Sequence, residues 1–298
     1  MQPAINKHRF LHPNTGSWHR YMAVPALVLF SLFFLYPLSR GVWTSFTAWD
    51  GFSTPKFIGL ANYKEFFQDS RALRDIQNTV LFALGSAPLL NIAGLLLALL
   101  LNRTFKARTT VRSLLYLPAV ISPMIMGSIW YLLLQPRRGL LAILLQQIGY
   151  GSTSNWMLSG SSAMIVIVLV NVWQYAGMTM IIYLAGLQAI PIEHYEAAEL
   201  EGASRGNIFR FIVLPQLTPA LKINVITNII GSLSVFDAIL ALTDGGPGYD
   251  TESLSIYIMR MCYGNKTGYS TAVALILFLI ILIPVLFSLQ FFNAKEKA

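Results

Sequence analysis

The sequence predicts an all-α membrane protein, a polytopic bundle of six transmembrane helices. Three observations carry that expectation. Of the 298 residues, 55% are hydrophobic and only 11% are charged, less than half the share of roughly 25% usual in soluble domains. The charges are also clustered, so that long uncharged runs lie between them, and about 20 apolar helical residues are needed to cross a bilayer core about 30 Å thick. Finally, six such runs alternate with basic or glycine-rich connections, and lipid leaves each run no choice but to pair its own backbone groups as a helix.

The first run, Tyr21 to Ser39, lies between Arg20 and Arg40. It exceeds the apolar core of a secretory signal and no small-residue cleavage site follows, so it reads as a retained span. A second extends from Gln77 to Asn102, and a third lies between Arg112 and Arg137. After GLLAILLQQI at Gly139 to Ile148, too short to cross and expected to lie at the outer surface, a Gly/Ser-rich break near Gly149 to Ser162 precedes the fourth span. The fifth runs from about Ile223 to Ala241 and contains Asp237, and the sixth is uncharged from Thr267 to Ala294.

Six spans place both termini on one side. With the termini inside, 12 Lys and Arg fall on cytoplasmic segments and 9 outside, a bias of the sign that sets orientation. The expected organisation is a cytoplasmic tail over 1–20, a transmembrane domain over 21–291 with a cytoplasmic segment at 190–219, and a short cytoplasmic tail at 292–298. The outer loop Thr44 to Asp75 opens with a turn at Asp50-Gly51 and continues into an aromatic-rich piece, Phe57 to Phe67, suited to the interface.

The net charge of +8 points to orientation and contact with anionic membrane lipid, and no nucleic-acid partner is expected. Cys262 is the single cysteine and the four histidines are scattered, so neither a disulfide nor a zinc site is expected. There is no H-E-x-x-H, no G-x-S-x-G and no phosphate-binding G-x-x-x-x-G-K-[ST] string. Catalytic residues, cofactors and metals are expected to be absent from this chain. An ion-coupled secondary transporter of a small polar solute is the competing class, but the spans carry almost none of the acids and histidines such coupling uses.

Two patterns point to function. Asn171, Gln174, Tyr175 and Met178 recur at i, i+3, i+4 and i+7 on the fourth span, and Asn224, Asn228, Gly231 and Ser232 share a face of the fifth. Amides and hydroxyls both donate and accept, which suits sugar hydroxyls, and equally suits the joining of helices in lipid. Asp237 sits near the outer end of its span, where a water-exposed or capping role is favoured over contact with a solute. The second pattern is IPIEHYEAAELEGASRGNIFRFIVLPQLTPAL at Ile190 to Leu221. Glu193 to Glu201 is strongly helical after Pro191, Gly202 permits a sharp turn, and Asn207 to Val213 resumes helical spacing until Pro215 is expected to stop it. Small residues at Ala197 and Ala198, edged by Glu196, Glu199 and Glu201, make a helical knob suited either to a partner's groove or to plain solvent.

EAAELEGAS followed by IVLP resembles the EAA signature of the inner-membrane permeases of ABC importers, with Glu201 where aspartate is commoner. YPLSRGVWTSFTAWD at Tyr36 to Asp50, FIGLANYKEFF at Phe57 to Phe67 and LTDGGPGYDTESLSIYIMR at Leu242 to Arg260 are similar to the carbohydrate-uptake, maltose-type branch, and specifically to the first of its two unlike permease subunits. The resemblance implies a type I importer fold in a bacterial inner membrane. It implies ATPase coupling through Glu196, Ala197, Ala198, Glu201, Gly202, Ala203, Leu214 and Pro215. It also implies that Asn171, Gln174, Tyr175, Asn228 and Ser232, with Met178 and Gly231 on the same faces, border a sugar pathway. The implied partners are a second permease subunit, two copies of a cytoplasmic ATPase that hold ATP and Mg, an extracytoplasmic solute-binding protein and a sugar.

Overall fold

A computed structural model of the chain describes residues 18–103, 105–135, 139–147 and 159–297. The expected tail, apart from its last three residues, and most of the Gly/Ser-rich break lie outside the described residues.

Helices α1 (Trp18–Phe30) and α2 (Tyr36–Ser45) join through a π turn at Ser31–Leu35 into one rod, the first span. Residues 23–40 of this rod are exposed throughout. A two-residue ladder follows, β1 (Thr47–Ala48) antiparallel to β2 (Lys56–Phe57), with Thr47 opposite Phe57. The turn between them is the expected one: Gly51 has φ +97, and Asp50 Oδ1 accepts the amides of Phe52 and Ser53 and the Ser53 hydroxyl. Those donors, the Ser53 amide foremost, hold the Asp50 carboxyl down at about 2. Short α3 (Ala61–Gln68) completes the outer loop.

Helix α4 (Ser70–Leu101) has 32 residues, about 48 Å at 1.5 Å each. It starts well before the expected Gln77 because Asp69 caps it, accepting the amides of Arg71 and Ala72. The extra turns carry Asp75 into the interior, fully buried with neither carboxyl oxygen bonded among the described residues.

The expected third span is not one helix. Helices α5 (Arg108–Val120) and α6 (Pro123–Leu134) meet at 95°. Pro123 forces the preceding residue out of the helical region, and Ile121 and Ser122 are extended, with ψ 136 and 133. Short α7 (Leu140–Gln147) occupies the stretch expected to lie at the surface. Helix α8 (Gly160–Gln188) crosses unbroken.

In the connecting segment come α9 (Ile192–Leu200), α10 (Arg205–Ile208), a second π turn at Phe209–Val213, α11 (Leu214–Gln216) and α12 (Thr218–Leu233). The stop expected at Pro215 does not occur. A proline cannot donate to the carbonyl one turn back, and the π turn absorbs the missing bond: the Leu214 amide reaches Phe209 O instead. The first rod uses the same device, with the Tyr36 amide on Ser31 O just ahead of Pro37.

The fifth span is also broken, α12 meeting α13 (Asp237–Thr243) at 46° across Ser234 to Phe236. Helix α14 (Leu254–Tyr263) lies in the outer connection, and α15 (Thr267–Lys297) is the last span. Among the described residues, four helical rods are long and apolar enough to cross a membrane, and up to six spans result if each bent pair is one.

The bundle is built around α4 packed along α8, with α12 against both and α15 against α12 and α2. Small residues permit the approach. A Cβ on Gly177 would lie 2.0 Å from Leu115 O, and one on Gly94 would lie 2.5 Å from the Thr179 methyl, so α8 meets α5 and α4 at backbone distance. Two buried clusters hold one half of the bundle: Phe82, Ile167 and Ile239 anchor one, Phe66, Tyr257 and Val273 the other. A third joins the far ends of α4 and α8 to the 190–219 segment through Leu101, Tyr183, Leu187, Ala198, Ile208 and Leu217.

Candidate translocation site and coupling surface

A cavity of about 340 Å³ opens beside α8 and α12. The helical repeat places Asn171, Tyr175 and Met178 from α8, and Asn228, Gly231 and Ser232 from α12, on its wall. Gln174 is not on that wall. Its amide is 1% exposed and its Nε2 donates to Ile121 O at 3.1 Å, pairing a carbonyl freed at the α5–α6 break. Asn171 Oδ1 accepts the Ser86 hydroxyl at 2.8 Å, so one of its ends joins α8 to α4.

The structure adds Thr179, Asn224, Thr227 and Asp237 to the wall. Asn224 already shares the α12 face in the sequence; Thr179 falls eight residues after Asn171, a spacing that two helical turns would have disclosed. Asn224 donates to Thr179 O at 3.2 Å, while its Oδ1 and the Ser232 hydroxyl have no partner among the described residues although both side chains are buried. Neither oxygen has accessible surface in this conformation, so a solute reaches them only when the wall moves. The two helix breaks contribute as well: Pro123 at the start of α6, and Ser234 to Phe236 between α12 and α13, all border the cavity. Irregular backbone at membrane depth is tolerated where it lines such a space.

The knob is built from the motif residue by residue. Gly202 has φ +76, and its left-handed turn closes α9 in a Schellman motif: the Ala203 amide donates to Ala198 O at 2.9 Å and the Gly202 amide to Glu199 O at 3.0 Å. Glu201 is the C-cap, and Ser204 then caps α10, its hydroxyl accepting the Asn207 amide at 3.3 Å. This capping role of Ser204 is a signal the string already carried, a serine two residues beyond the turn glycine. Ala198 is buried in the hydrophobic cluster beneath and partly buried Ala203 packs against it, while Glu196, Ala197, Glu201, Leu214 and Pro215 face outward. His194 Nδ1 and Gln216 Nε2 share a hydrogen bond of 2.6 Å that ties α9 to α11. Around these lie apolar side chains left in the open, Leu200 at 90% and Phe211 at 68% exposure.

At the opposite end the TDGGPGYDTES string is fastened across α4. Fully buried Glu252 takes two bonds from Arg71, at 2.8 and 2.9 Å, and one ion pair from Arg260 at 3.0 Å. Arg71 also lies 3.7 Å over the Tyr249 ring. Asn78 donates to the carbonyls of Tyr249 and Glu252 at 2.9 and 3.1 Å. Tyr257 donates to Asp69 and meets the Tyr269 hydroxyl at 3.0 Å; burial, with the Asp69 bond behind it, pushes the Tyr257 phenol above its ordinary value.

Broken spans that border a cavity, with a glycine-turned helix pair at one end of the bundle, are features of a solute permease. Residues 91–296 match the family of binding-protein-dependent transport system inner membrane components, and the chain belongs to that family. A probable ABC transporter permease protein of Pyrococcus horikoshii is 35% identical over 88% of this chain and 91% of its own. The multiple sugar-binding transport system permease protein of Streptococcus mutans is 34% identical over 88% and 90%, and the trehalose/maltose permease of Thermococcus litoralis 34% over 88% of each. Among solved structures, a bacterial ABC transporter that imports the acidic polysaccharide alginate aligns with a TM-score of 0.80 and 26% identity, covering 93% of this chain and 96% of its own. The chain is thus a multi-pass inner-membrane permease.

Proposed function

We propose that this chain is a permease subunit of an ATP-driven importer and forms half of the translocation pathway for a sugar or oligosaccharide. The observation that carries the reading is the pairing, in one bundle, of an amide- and hydroxyl-lined cavity with the capped α9–α10 knob. Helix α12 connects the two: it is rooted at Leu217 in the cluster under the knob and lines the cavity from Asn224 to Ser232. Relatives named for multiple sugars and for trehalose and maltose support the substrate class, and a related importer has been solved with its pentasaccharide-bound periplasmic protein.

In this reading both termini and the knob lie in the cytoplasm, where each of the complex's permeases seats one of two ATPase copies. Those ATPases hold ATP and Mg; a second, unlike permease supplies the other half of the cavity, and an extracytoplasmic binding protein delivers the sugar. Closure of the ATPases on nucleotide moves the knob, and α12 carries that movement to the cavity wall. Asn224, Asn228 and Ser232 offer hydrogen bonds to the sugar's hydroxyls, and the Tyr175 ring offers an apolar face. Purification of the tagged chain from native membranes in mild detergent tests this. Recovery with an unlike permease and an ATP-hydrolysing subunit is the expected result; recovery alone, without nucleotide hydrolysis, favours an ion-coupled carrier instead.

A further inference from the structure

The cavity's charge is one-sided. Its wall is made of amides, hydroxyls, aliphatic groups and aromatic rings, with one ionisable acid, Asp237, and no lysine, arginine or histidine among the described residues that border it. Asp237 is exposed, in the first turn of α13 immediately after the α12–α13 break. The same wall includes the buried Ser232, whose hydroxyl lacks a partner among the described residues, and on the facing helix Tyr175 and Met178. Helix α12 covers about 24 Å in its 16 residues before that break, so the carboxylate stands most of a bilayer's depth from the coupling end.

We propose that Asp237 is a specificity-determining charge filter: it sets a negative potential in this half of the pathway that admits uncharged saccharides and disfavours uronates and sugar phosphates. This rests on the cavity being the translocation pathway. A carboxylate accepts hydrogen bonds from neutral hydroxyls as readily as the neighbouring amides do, so it costs an uncharged sugar nothing. An anionic sugar meets like charge in a space with low-dielectric walls, where no cation among the described residues of the wall compensates. The spans carry few other charges to dilute the effect, which makes a single carboxylate decisive for the sign of the local potential.

The test reads the potential directly and needs no knowledge of the natural sugar. With Cys262 replaced by serine and a cysteine placed at Met178, which is 50% exposed on the same wall, the chain is purified from membranes with whatever subunits accompany it. The thiol is then modified by cationic and by anionic methanethiosulfonates of similar size. Relative to free cysteine, the cation is expected to react about threefold to tenfold faster than the anion. Asp237→Asn should collapse that preference and Asp237→Glu should keep it. A preference unchanged by Asp237→Asn, or a thiol that neither reagent reaches, overturns the filter. ATP hydrolysis by the same preparation reports on the importer separately: charge preference without an ATPase leaves the filter standing and removes the importer.

Discussion

At the scale of single residues, Gly202 is the position where chemistry allows least choice. Nothing lies within 4 Å of the Cβ it lacks, so the constraint is its left-handed backbone alone, which costs other residues roughly 1–2 kcal/mol. Gly202→Ala should therefore leave a folded chain with slower uptake, whereas Gly202→Pro, whose ring locks φ near the negative value, should abolish uptake at equal membrane abundance while sugar capture by the binding protein continues. Vesicle uptake assays distinguish the two. The outer end offers a contrast between two buried acids. Glu252 is held by Arg71 and Arg260, and removing one partner of a buried ion pair costs roughly 3–5 kcal/mol. Asp75 is equally buried, and its carboxyl oxygens hold no hydrogen bond or ion pair among the described residues. Glu252→Ala is expected to lower the thermal midpoint of the detergent-solubilised protein by several degrees, and Asp75→Asn to leave it unchanged or raise it. An equal loss in both variants would refute the distinction.

At the scale of elements, the sequence read the knob more completely than it read the spans. EAAELEGAS encodes its own geometry, because capping and Schellman turns are satisfied by neighbours within a few residues. The third and fifth spans looked continuous because hydropathy measures the mean over a run and is blind to a break of two or three residues. Pro118 and Pro123 were visible, but a proline in lipid either kinks, stops or is absorbed. Pro37 and Pro215 are absorbed by π turns, and Pro123 opens a new helix. What decides is whether the freed carbonyl finds a donor, as Ile121 O does in Gln174. That donor comes from another helix, out of reach of local reading. The knob's exposed Leu200 belongs to the same scale. It makes no core contact, so Leu200→Glu should preserve abundance and thermal stability yet strip the ATPase from the purified complex, a result read by quantitative mass spectrometry of the co-purifying subunits.

At the scale of the whole molecule, the proposed function makes the cavity and the knob two ends of one mechanical path. Leu217 is fully buried where α11 passes into α12, and truncating such a leucine costs about 2–5 kcal/mol through lost burial and a residual hole. Leu217→Ala should both lower the thermal midpoint and loosen coupling, so that ATP hydrolysed per sugar imported rises; an unchanged ratio would show that α12 does not transmit the movement. The first rod stands outside this path. Its residues 23–40 have no contact that buries them, in keeping with a helix that faces lipid.

The sequence by itself determined the membrane setting, the number of hydrophobic runs, the capped knob and the faces that carry amides. Each of these depends on composition or on neighbours a few residues apart. Only the tertiary structure decided which amides line the cavity and which are consumed as internal bonds. Asn171, Gln174 and Asn224 have the same chemistry, and other helices bring each a partner, Ser86, Ile121 O and Thr179 O in turn, yet only Gln174 is taken off the cavity wall. The same holds for Glu252 and Asp75: both are acids near a span's end, and the long-range placement of Arg71 and Arg260 is what gives one of them its ion pairs.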